Sequence, residues 1–390
     1  RENDISLLAT DGSGETPLIV HPAHDRLLGW SPDGKSILFG SDRAGTMSAW
    51  LQRVADGQPQ GEPELIKQDL GRVFPMGFTR SGTYFYGLEV ANVQAFLTTL
   101  DFARGKVVAP PVPLLRRSHG PFASPNISPD GQYLAYGSVR SLTPWKPGSD
   151  LLTIRTLATG KERELTPALE VFDLFSWSPD GRTLLLSGQE SNGNLGLYQV
   201  EADTGEVTTL WRNAPQTGWI LAAEWSPDGK AIYYYAQNRL LRRELASGQE
   251  RELYRGSLMR FALAPDGQRL ALAQGQSLKL ITIADGVSRD LLTAQRPEAI
   301  DCVAWMPDGQ HLLFSRSNIS PQGQRSELWR LPLAGGAPQR LDLTIEGLRE
   351  LRVHPAGQQL AYSSFQMRRE VWTMEHFLKS ATNRRKTIRP

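Results

Sequence analysis

Arginine, tryptophan and acidic residues that could bind a ligand recur in the connecting segments of this 390-residue chain. Arginine and tryptophan are enriched among the energetically important contacts of protein interfaces, and carboxylates recognise cationic groups. The candidate ligand- or partner-binding residues are Asp25, Arg26, Arg43, Arg72, His119, Arg140, Trp145, Asp173, Trp219, Asp301, Arg316, Arg349 and Arg368. Trp145 is the strongest single anchor among them, with a partly buried role inside its own loop as the alternative.

Recognisable catalytic motifs are missing from the sequence. It contains no GxSxG elbow, no phosphate-binding loop or kinase signature, and no HExxH among its six histidines. His21 and His24 stand three positions apart, which on a loop is weak support for a metal site. Paired carboxylates such as Asp173 and Asp301 could hold a cation or act as acid and base if the fold brings them together. We therefore predict no catalytic residue, no metal site and no cofactor, with a channel-bound cation as the alternative.

One five-residue motif recurs along the chain and must position these residues. "WSPDG" stands at 30–34, 177–181 and 225–229, with looser copies at 127–131, 263–267, 305–309 and 353–357 and a degenerate "FTRSG" at 78–82. The closing glycines are 38 to 50 residues apart, a period typical of a propeller blade or a helical pair. Proline, aspartate and glycine favour tight turns, so we interpret the motif as scaffold and its aspartates as structural.

The segments between the motifs predict strands. A β-rich run such as "SILFGS" or "TLLLSG" follows each motif, and two further runs precede the next copy. Helical periodicity is nowhere sustained. We predict an all-β fold, a single closed β-propeller of four-stranded antiparallel blades over residues 1–378, with eight blades and seven as the alternative. The N-terminal strands, 5–10 and 17–22, are expected to complete the last blade, because an open ring would leave an exposed edge.

A propeller brings loops from every blade to one face. Each inner strand is predicted to end at its SPDG turn, so the opposite face carries the loops before the inner strands and those between second and third strands. We call this side the loop face. The candidate residues all fall in such loops, around one predicted channel mouth, where variable loops on a rigid scaffold often bind ligands.

The repeat also resembles a known family. The cycle "WSPDG–β–turn–β–(D/T)G–β" is similar to the TolB-type propeller repeat, which also occurs in the propellers of prolyl oligopeptidase-like and tricorn-like proteases. The segments "DLLTIRTLATGKEREL" and "EVWTMEHFL" resemble bacterial propellers attached to winged-helix regulators or Ser/Thr kinases. The resemblance covers essentially the whole chain, and it implies the fold more strongly than any function.

Composition narrows the possible partners. The 43 basic and 41 acidic residues give a formal charge of +2, so the domain is not predicted to bind nucleic acid. No stretch approaches 18 consecutive apolar residues, which excludes a predicted membrane-spanning helix. Cys302 is the only cysteine, so no intrachain disulfide can form. Residues 379–390 carry five basic residues and no acidic one, and are predicted to be a solvated basic tail, with a charge-dependent contact as the alternative.

These features favour a non-catalytic binding or sensor propeller. We predict a monomer that recognises a protein, peptide or small ligand through its loop face, as part of a larger bacterial regulatory protein acting in signal transduction. The alternative is a propeller enzyme, a lyase or hydrolase acting on a charged polymer at the channel mouth. The compartment stays open: extracytoplasmic for the outer domain of a membrane-bound regulator, and cytoplasmic otherwise.

Overall fold

The computed structural model describes residues 4–114, 124–138, 150–213, 218–320 and 323–378. These residues form 32 β-strands and no helix, so the described part of the chain contains no helix of the length and apolarity needed to cross a membrane. Contacts divide the chain into two units. The first comprises residues 1–91, 141–146 and 367–390, and the second comprises residues 92–140 and 147–366.

The recurring motif ends an inner strand in a hydrogen-bonded turn. In the copy at 177–181, Ser178 Oγ donates to Asp180 Oδ1 at 2.6 Å and accepts from the backbone N–H of Thr183 at 3.0 Å. Gly181 closes the turn with a φ of 70°, a conformation that glycine adopts without steric cost. The same serine-to-aspartate hydrogen bond forms at Ser31–Asp33, Ser128–Asp130 and Ser226–Asp228. These aspartates therefore serve the turn itself.

The first unit contains one complete four-stranded sheet. Its strands are β1 (Ile5–Leu8), β2 (Glu15–Ile19), β3 (Asp25–Trp30), β4 (Ser36–Ser41), β5 (Ser48–Ala55), β6 (Gln58–Lys67), β7 (Arg72–Phe78) and the first part of β8 (Tyr84–Asp101). β1 pairs with β2 in a two-stranded sheet, β3 to β6 pair in chain order, and β7 pairs with β8. Leu28, Leu38, Tyr84 and Tyr86 are buried together in the core of this unit.

The second unit contains the remaining strands and the second part of β8. They are β9 (Lys106–Pro113), β10 (Asn126–Ile127), β11 (Tyr133–Ser138), β12 (Leu151–Thr156), β13 (Glu162–Leu165), β14 (Val171–Trp177), β15 (Thr183–Gln189), β16 (Leu195–Glu201), β17 (Val207–Arg212), β18 (Ala222–Trp225), β19 (Ala231–Ala236), β20 (Arg239–Glu244), β21 (Glu250–Arg255), β22 (Arg260–Leu263), β23 (Arg269–Ala273), β24 (Ser277–Thr282), β25 (Ser288–Thr293), β26 (Glu298–Ala299), β27 (Val303–Trp305), β28 (His311–Ser320), β29 (Gly323–Pro332), β30 (Gln339–Glu346), β31 (Leu348–Val353) and β32 (Gln359–Met374). The end of β32, from residue 367, belongs to the first unit.

Six sheets of this second unit are built from its described strands. β10 to β13, β14 to β17, β18 to β21 and β22 to β25 each pair in chain order. In the fifth sheet β26 and β27 both pair with β28, which is followed by β29 and β30. The sixth sheet has the order β31, β32, β8, and β9 also pairs with β8. It therefore joins two strands from late in the chain to two strands from early in the chain.

The inner strands of these six sheets form a closed cycle of contacts. β10, β14, β18, β22, β27 and β31 contact one another in this order, and β31 also contacts β10. Tryptophans of the motif tie neighbouring sheets together: Trp177 Nε1 donates to the carbonyl oxygen of Asn126 at 2.9 Å, and Trp305 Nε1 to that of Ala262 at 3.0 Å. In both cases the acceptor lies on the preceding inner strand, as expected for a side chain that packs between blades.

The all-β prediction and the four-stranded antiparallel sheets are confirmed, whereas the predicted eight blades and their closure are not. Residues 5–10 and 17–22 do not complete the last sheet, since β1 pairs with β2 and the partner of β32 is β8. The prediction of eight blades assumes that each copy of the motif belongs to one blade of a single ring. β8 departs from that count because it continues through Asn92 without a turn, so one 18-residue strand pairs with both β7 and β9. The single propeller over residues 1–378 stays a prediction, and the tail at 379–390 lies outside the described residues.

Candidate functional site

The inner strands of the second unit surround a narrow cavity of about 30 Å³. This volume has room for a water molecule or the end of one side chain, rather than for a complete ligand. Four of its lining residues are charged: Glu224 on β18, Arg260 on β22, and Glu350 and Arg352 on β31. Charged side chains inside a ring of apolar strands are the chemically distinctive feature of this unit.

The spacing to the motif explains which side chains of the inner strands form two polar layers, of which only some members line the cavity. Successive side chains of a strand alternate between its two sides, so residues two apart point the same way. The positions three residues before the motif hold Ser124, Ala222, Arg260, Cys302 and Glu350, and those one residue before it hold Asn126, Glu224, Ala262, Ala304 and Arg352. On β14 a bulge between Leu174 and Ser176 adds one residue, which places Asp173 in the first of these two layers.

The first layer lies towards the loop face and brings Asp173, Arg260 and Glu350 together. Glu350 Oε1 accepts a hydrogen bond from Ser124 Oγ at 3.1 Å and lies 3.7 Å from Nη2 of Arg260. Nη1 of Arg260 donates to the carbonyl oxygen of Met259 at 2.8 Å. Oε2 of Glu350 and Oδ1 of Asp173 are buried and have no hydrogen-bond partner in the described part of the chain.

The surroundings of Asp173 disfavour its ionised form. Burial, and secondly the negative charge of Glu350, raise the pKa of Asp173 to about 6, while the charge of Arg260 acts in the opposite direction. Desolvation disfavours a buried carboxylate unless a partner compensates it. The layer therefore presents two neighbouring acceptor groups whose negative charge is only partly balanced.

The charged groups of the second layer are more fully satisfied. Arg352 donates to Asn126 Oδ1 at 2.9 Å and to the carbonyl oxygens of Leu351 at 3.1 Å and Phe175 at 3.3 Å. Glu224 accepts from the backbone N–H of Leu263 at 2.8 Å. Burial raises the pKa of Glu224, and the charge of Arg352 opposes that rise. These groups have protein partners, so we interpret this layer as a polar joint between inner strands.

Cys302 adds no reactive nucleophile to the cavity. Its Sγ donates to the carbonyl oxygen of Arg349 at 3.2 Å. Burial raises the pKa of this thiol to about 12, so the thiolate that nucleophilic chemistry requires is scarce at neutral pH.

Of the predicted site residues whose side chains the structure describes, only Asp173 belongs to this cluster. Asp301 is not its partner, because Asp301 Oδ2 accepts from Gln324 Nε2 at 2.8 Å and the carboxylate that acts on Asp173 is Glu350. Arg349 lies over the ring of Phe365, with 4.9 Å between the guanidinium carbon and the ring centroid. Asp301 and Arg349 therefore each have contacts of their own outside the cluster.

The other predicted residues of the second unit are also placed elsewhere. Arg316 lies over the Trp329 ring at 4.4 Å and 4.0 Å from Glu298, so it is held by its own sheet. Trp219 is half-buried, three residues before the start of β18. His119, Arg140 and Trp145 lie outside the described residues.

In the first unit, two predicted binding residues form a structural ion pair. Arg43 Nη2 lies 3.1 Å from Oδ1 of the buried Asp25, and its guanidinium carbon is 5.0 Å from the Phe39 ring centroid and 5.4 Å from that of Trp50. Arg26 donates to the carbonyl oxygen of Val73 at 3.3 Å. The remaining two predicted residues, Arg72 and Arg368, lie on β7 and β32, and their side chains are not among those described.

Arg260, Glu350, Glu224 and Arg352 were not among the predicted site residues. They lie on inner strands or at their first position, whereas the prediction concentrated on connecting loops. A signal was available, because a charged residue one or three positions before a turn motif interrupts an otherwise apolar strand. No group of three or more histidine, cysteine or acidic residues suited to a metal ion occurs among the described residues, and the channel-bound cation stays a prediction.

Comparison with known proteins supports the architecture. A solved structure assigned as TolB from Agrobacterium tumefaciens superposes with a TM-score of 0.55 at 18% identity, covering 71% of this chain and 99% of that chain. At 18% identity this likeness shows the fold alone. The chain has a TolB-like β-propeller fold. No family model matches the chain, and no curated protein matches it.

Two further similarities are too distant to support an argument. TolB from Acinetobacter baumannii has a TM-score of 0.37 at 15% identity, and the alignment covers 75% of this chain and 60% of that one. Kuenenia stuttgartiensis hydrazine synthase has a TM-score of 0.46 at 18% identity, with 63% and 74% covered. The TolB-like architecture therefore rests on the first comparison and on the sheets themselves, and the resemblance to winged-helix regulators and kinases is not shown.

Proposed function

We propose that this chain is a non-catalytic binding module whose second unit recognises a protein, peptide or small ligand through its loop face. The observation that carries the proposal is the pair of buried, unpartnered carboxylate oxygens of Asp173 and Glu350 towards that face. Buried polar atoms are nearly always hydrogen-bonded in native proteins. A bound ligand that donates to these atoms would supply the missing partners.

The fifth sheet offers a second contact surface on the same face. β28 and β29 are ten residues long, and their pairing extends to Ser320 and Gly323, well beyond the start of β27. Ile319 near the tip is 67% exposed. An apolar side chain on a protruding hairpin beside a polar channel mouth suits an interface, in which apolar anchors and polar contacts occur together.

The proposal also covers the oligomeric state of the chain and the class of protein to which it belongs. We propose that the chain acts as a monomeric sensor domain in a bacterial regulator of the winged-helix or kinase class, on the basis of the sequence resemblance alone. Size-exclusion chromatography with light scattering would test the monomer.

No observation on the described residues favours the alternative of a propeller enzyme. Asp173 and Asp301, the carboxylates considered for acid–base work, do not form a pair, and Cys302 is a buried thiol with a raised pKa. General acid–base catalysis requires groups within hydrogen-bond reach of a substrate atom. The contacts of the described residues therefore favour the binding function.

Selection from a displayed peptide library on the immobilised full chain tests the proposed function. Peptides that bind the wild-type chain are expected to lose at least about tenfold in affinity for Ile319→Asp, which places a charge on the loop-face hairpin. The matched control is Lys230→Ala, at an exposed position directly after the SPDG turn at 225–229 on the opposite face. Retained binding to Ile319→Asp, or an equal loss with Lys230→Ala, would contradict the assignment of the loop face.

A further inference from the structure

We propose that Asp173 and Glu350 together bind one positively charged group, the ammonium or guanidinium at the end of a lysine or arginine side chain of a peptide or protein partner. The inference rests on the proposed function, because a partner must dock on the loop face to present that side chain. It adds the chemical class of the group that is recognised and the two residues that recognise it.

The charge balance of the first layer favours a cation. Asp173 and Glu350 contribute two carboxylates, and Arg260 contributes one guanidinium, which lies 3.7 Å from Glu350 Oε1 and donates to Met259. Arg352 in the second layer is held by Asn126 and by two carbonyl oxygens, and its positive charge acts on Glu224 of the same layer. One negative charge in the first layer therefore lacks a counter-charge among the described residues.

The positions of the unpartnered atoms favour a donor between the two carboxylates. Glu350 uses Oε1 to accept from Ser124 and approach Arg260, which leaves Oε2 without a partner. Oδ1 of Asp173 is equally without one. β10 lies between β14 and β31 in the cycle of inner strands, so the two carboxylates flank the segment that carries Ser124. A single group with several N–H donors can satisfy both acceptors.

Glu350 and Arg260 line the cavity, whereas Asp173 is not among its lining residues, and the size of the cavity limits how much of a ligand can enter beside Glu350. About 30 Å³ accepts the end of a side chain, whereas the rest of the ligand must remain on the loop face. Lysine and arginine suit this geometry, because a long aliphatic stem carries the charge away from the backbone to which it belongs.

Other ligand classes fit less well. A divalent cation prefers several oxygen ligands, and the described residues provide no group of three potential metal ligands here. An anion would meet two carboxylates in a largely buried layer, where like charges repel strongly. A neutral ligand could donate hydrogen bonds, but it would leave the negative charge uncompensated.

Titration of the full chain with small probes tests the inference. The probes are n-butylguanidinium chloride, n-butylammonium chloride and the neutral isostere n-butylurea, followed by isothermal titration and by the shift in unfolding temperature. We expect the two cations to bind saturably, with roughly millimolar affinity, and n-butylurea not to bind. Asp173→Asn and Glu350→Gln should each weaken cation binding by about tenfold or more.

Asp301→Asn is the matched control, since it removes the same charge from the same face at a carboxylate that already has a partner in Gln324. It should keep the wild-type affinity within about twofold. The two isosteric variants are independent, so a folding defect in one leaves the other informative. Equal binding of n-butylurea, unchanged cation affinity in Asp173→Asn and Glu350→Gln, or stoichiometric binding of calcium chloride lost in both variants would overturn the inference.

The outcome can be separated from that of the proposed function. If selected peptides bind the loop face with undiminished affinity for Asp173→Asn and Glu350→Gln, the cation inference fails and the binding function stands. If the cations bind with the expected variant pattern but the selected peptides bind Ile319→Asp as tightly as the wild-type chain, the cation site stands and the loop-face assignment fails.

Discussion

Arg352 donates a hydrogen bond from Nε to Oδ1 of Asn126 at 2.9 Å, across 226 positions of the chain. Asn126 lies on β10 and Arg352 on β31, the first and the last inner strands of the second unit. His354 and Gly131 make a further contact between these two repeats, with 3.0 Å between the histidine Nε2 and the glycine carbonyl oxygen. The cycle of inner strands is thus joined by specific polar contacts where it closes.

Replacing Asn126 with alanine tests the contribution of this joint to stability. Asn126→Ala leaves Nε of Arg352 without its acceptor, and we expect the free energy of unfolding to fall by about 1–3 kcal/mol. Urea denaturation followed by fluorescence measures the change. Asn318→Ala, at an exposed strand position, is the control and should stay within about 0.5 kcal/mol of wild type. Equal effects of the two variants would show that the joint contributes nothing.

The raised pKa of Asp173 makes a signed prediction about pH. The folded chain keeps the proton of Asp173 up to a pH of about 6, because burial and Glu350 oppose its charge more than Arg260 favours it, whereas the ordinary pKa is 3.8. The ionised form therefore destabilises the fold: the penalty is absent below pH 4, grows between about 4 and 6, and is complete above, at roughly 3 kcal/mol. Asp173→Asn should match wild type near pH 4 and become more stable than wild type as the pH rises to 7.5. Unfolding at several pH values measures the difference, and a constant difference would contradict the prediction.

Two buried motif tryptophans allow a matched comparison. Trp177 Nε1 donates to the carbonyl oxygen of Asn126 at 2.9 Å, whereas Trp225 Nε1 is buried without a partner in the described part of the chain. Their exposed fractions are similar, at 6% and 9%. Both tryptophan-to-phenylalanine variants lose packing, but only Trp177→Phe also loses a hydrogen bond, so it should cost about 1 kcal/mol more than Trp225→Phe. Thermal or urea unfolding of the two variants decides this, and the reverse order would refute the assigned role of the indole N–H.

The SPDG turn should affect stability without affecting ligand binding. Ser178→Ala removes the hydrogen bonds to Asp180 and from Thr183, and we expect a loss of about 1–2 kcal/mol in the free energy of unfolding. Ser288→Ala, at an exposed strand position, is the control for stability. Affinity for selected peptides should be unchanged in Ser178→Ala under conditions where it is folded, and a lost affinity would mean that the turns contribute to the site.

Asp180 and Asp173 change the stability of the fold in opposite directions as the pH falls. The hydrogen bond from Ser178 lowers the pKa of Asp180, with a further contribution from the backbone N–H of Arg182. A lowered carboxyl pKa stabilises the fold above the ordinary value of 3.8, and this stabilisation is lost as the pH falls through the lowered value. The two aspartates of one sheet therefore respond to acid in opposite directions.

Local chemistry made the sheets predictable from the sequence. Proline, aspartate and glycine at fixed offsets determine a turn whatever surrounds them, and Gly181 adopts the conformation that the motif demands. The pairing of β8 was not predictable in this way. The alternation of its residues does not indicate that the strand pairs with one neighbour in its first part and with another in its second part. The blade count depended on that strand.

The site was predicted only in part, for a geometric reason. Asp173 was predicted because it was assigned to a loop before an inner strand, although it lies on β14; its partner Glu350 lies 177 positions further along the chain, and the cycle of inner strands brings them together. The bulge on β14 also displaces Asp173 by one residue from the position that its counterparts occupy. Spacing to the motif identifies channel-facing positions, and the contacts between repeats decide which of them meet.

The sixth sheet constrains how the protein can be made. β8 and β9 emerge from the ribosome early, whereas β31 and β32, to which β8 must pair, begin at Leu348 and Gln359. Until those residues have been synthesised, the pairing edge of β8 is open, and an unpaired edge is a site for aggregation. A chain interrupted before β31 would retain most of its sheets and lack the two strands that join its beginning to its end. The pairing edge of β8 therefore stays open throughout the synthesis of β10 to β30.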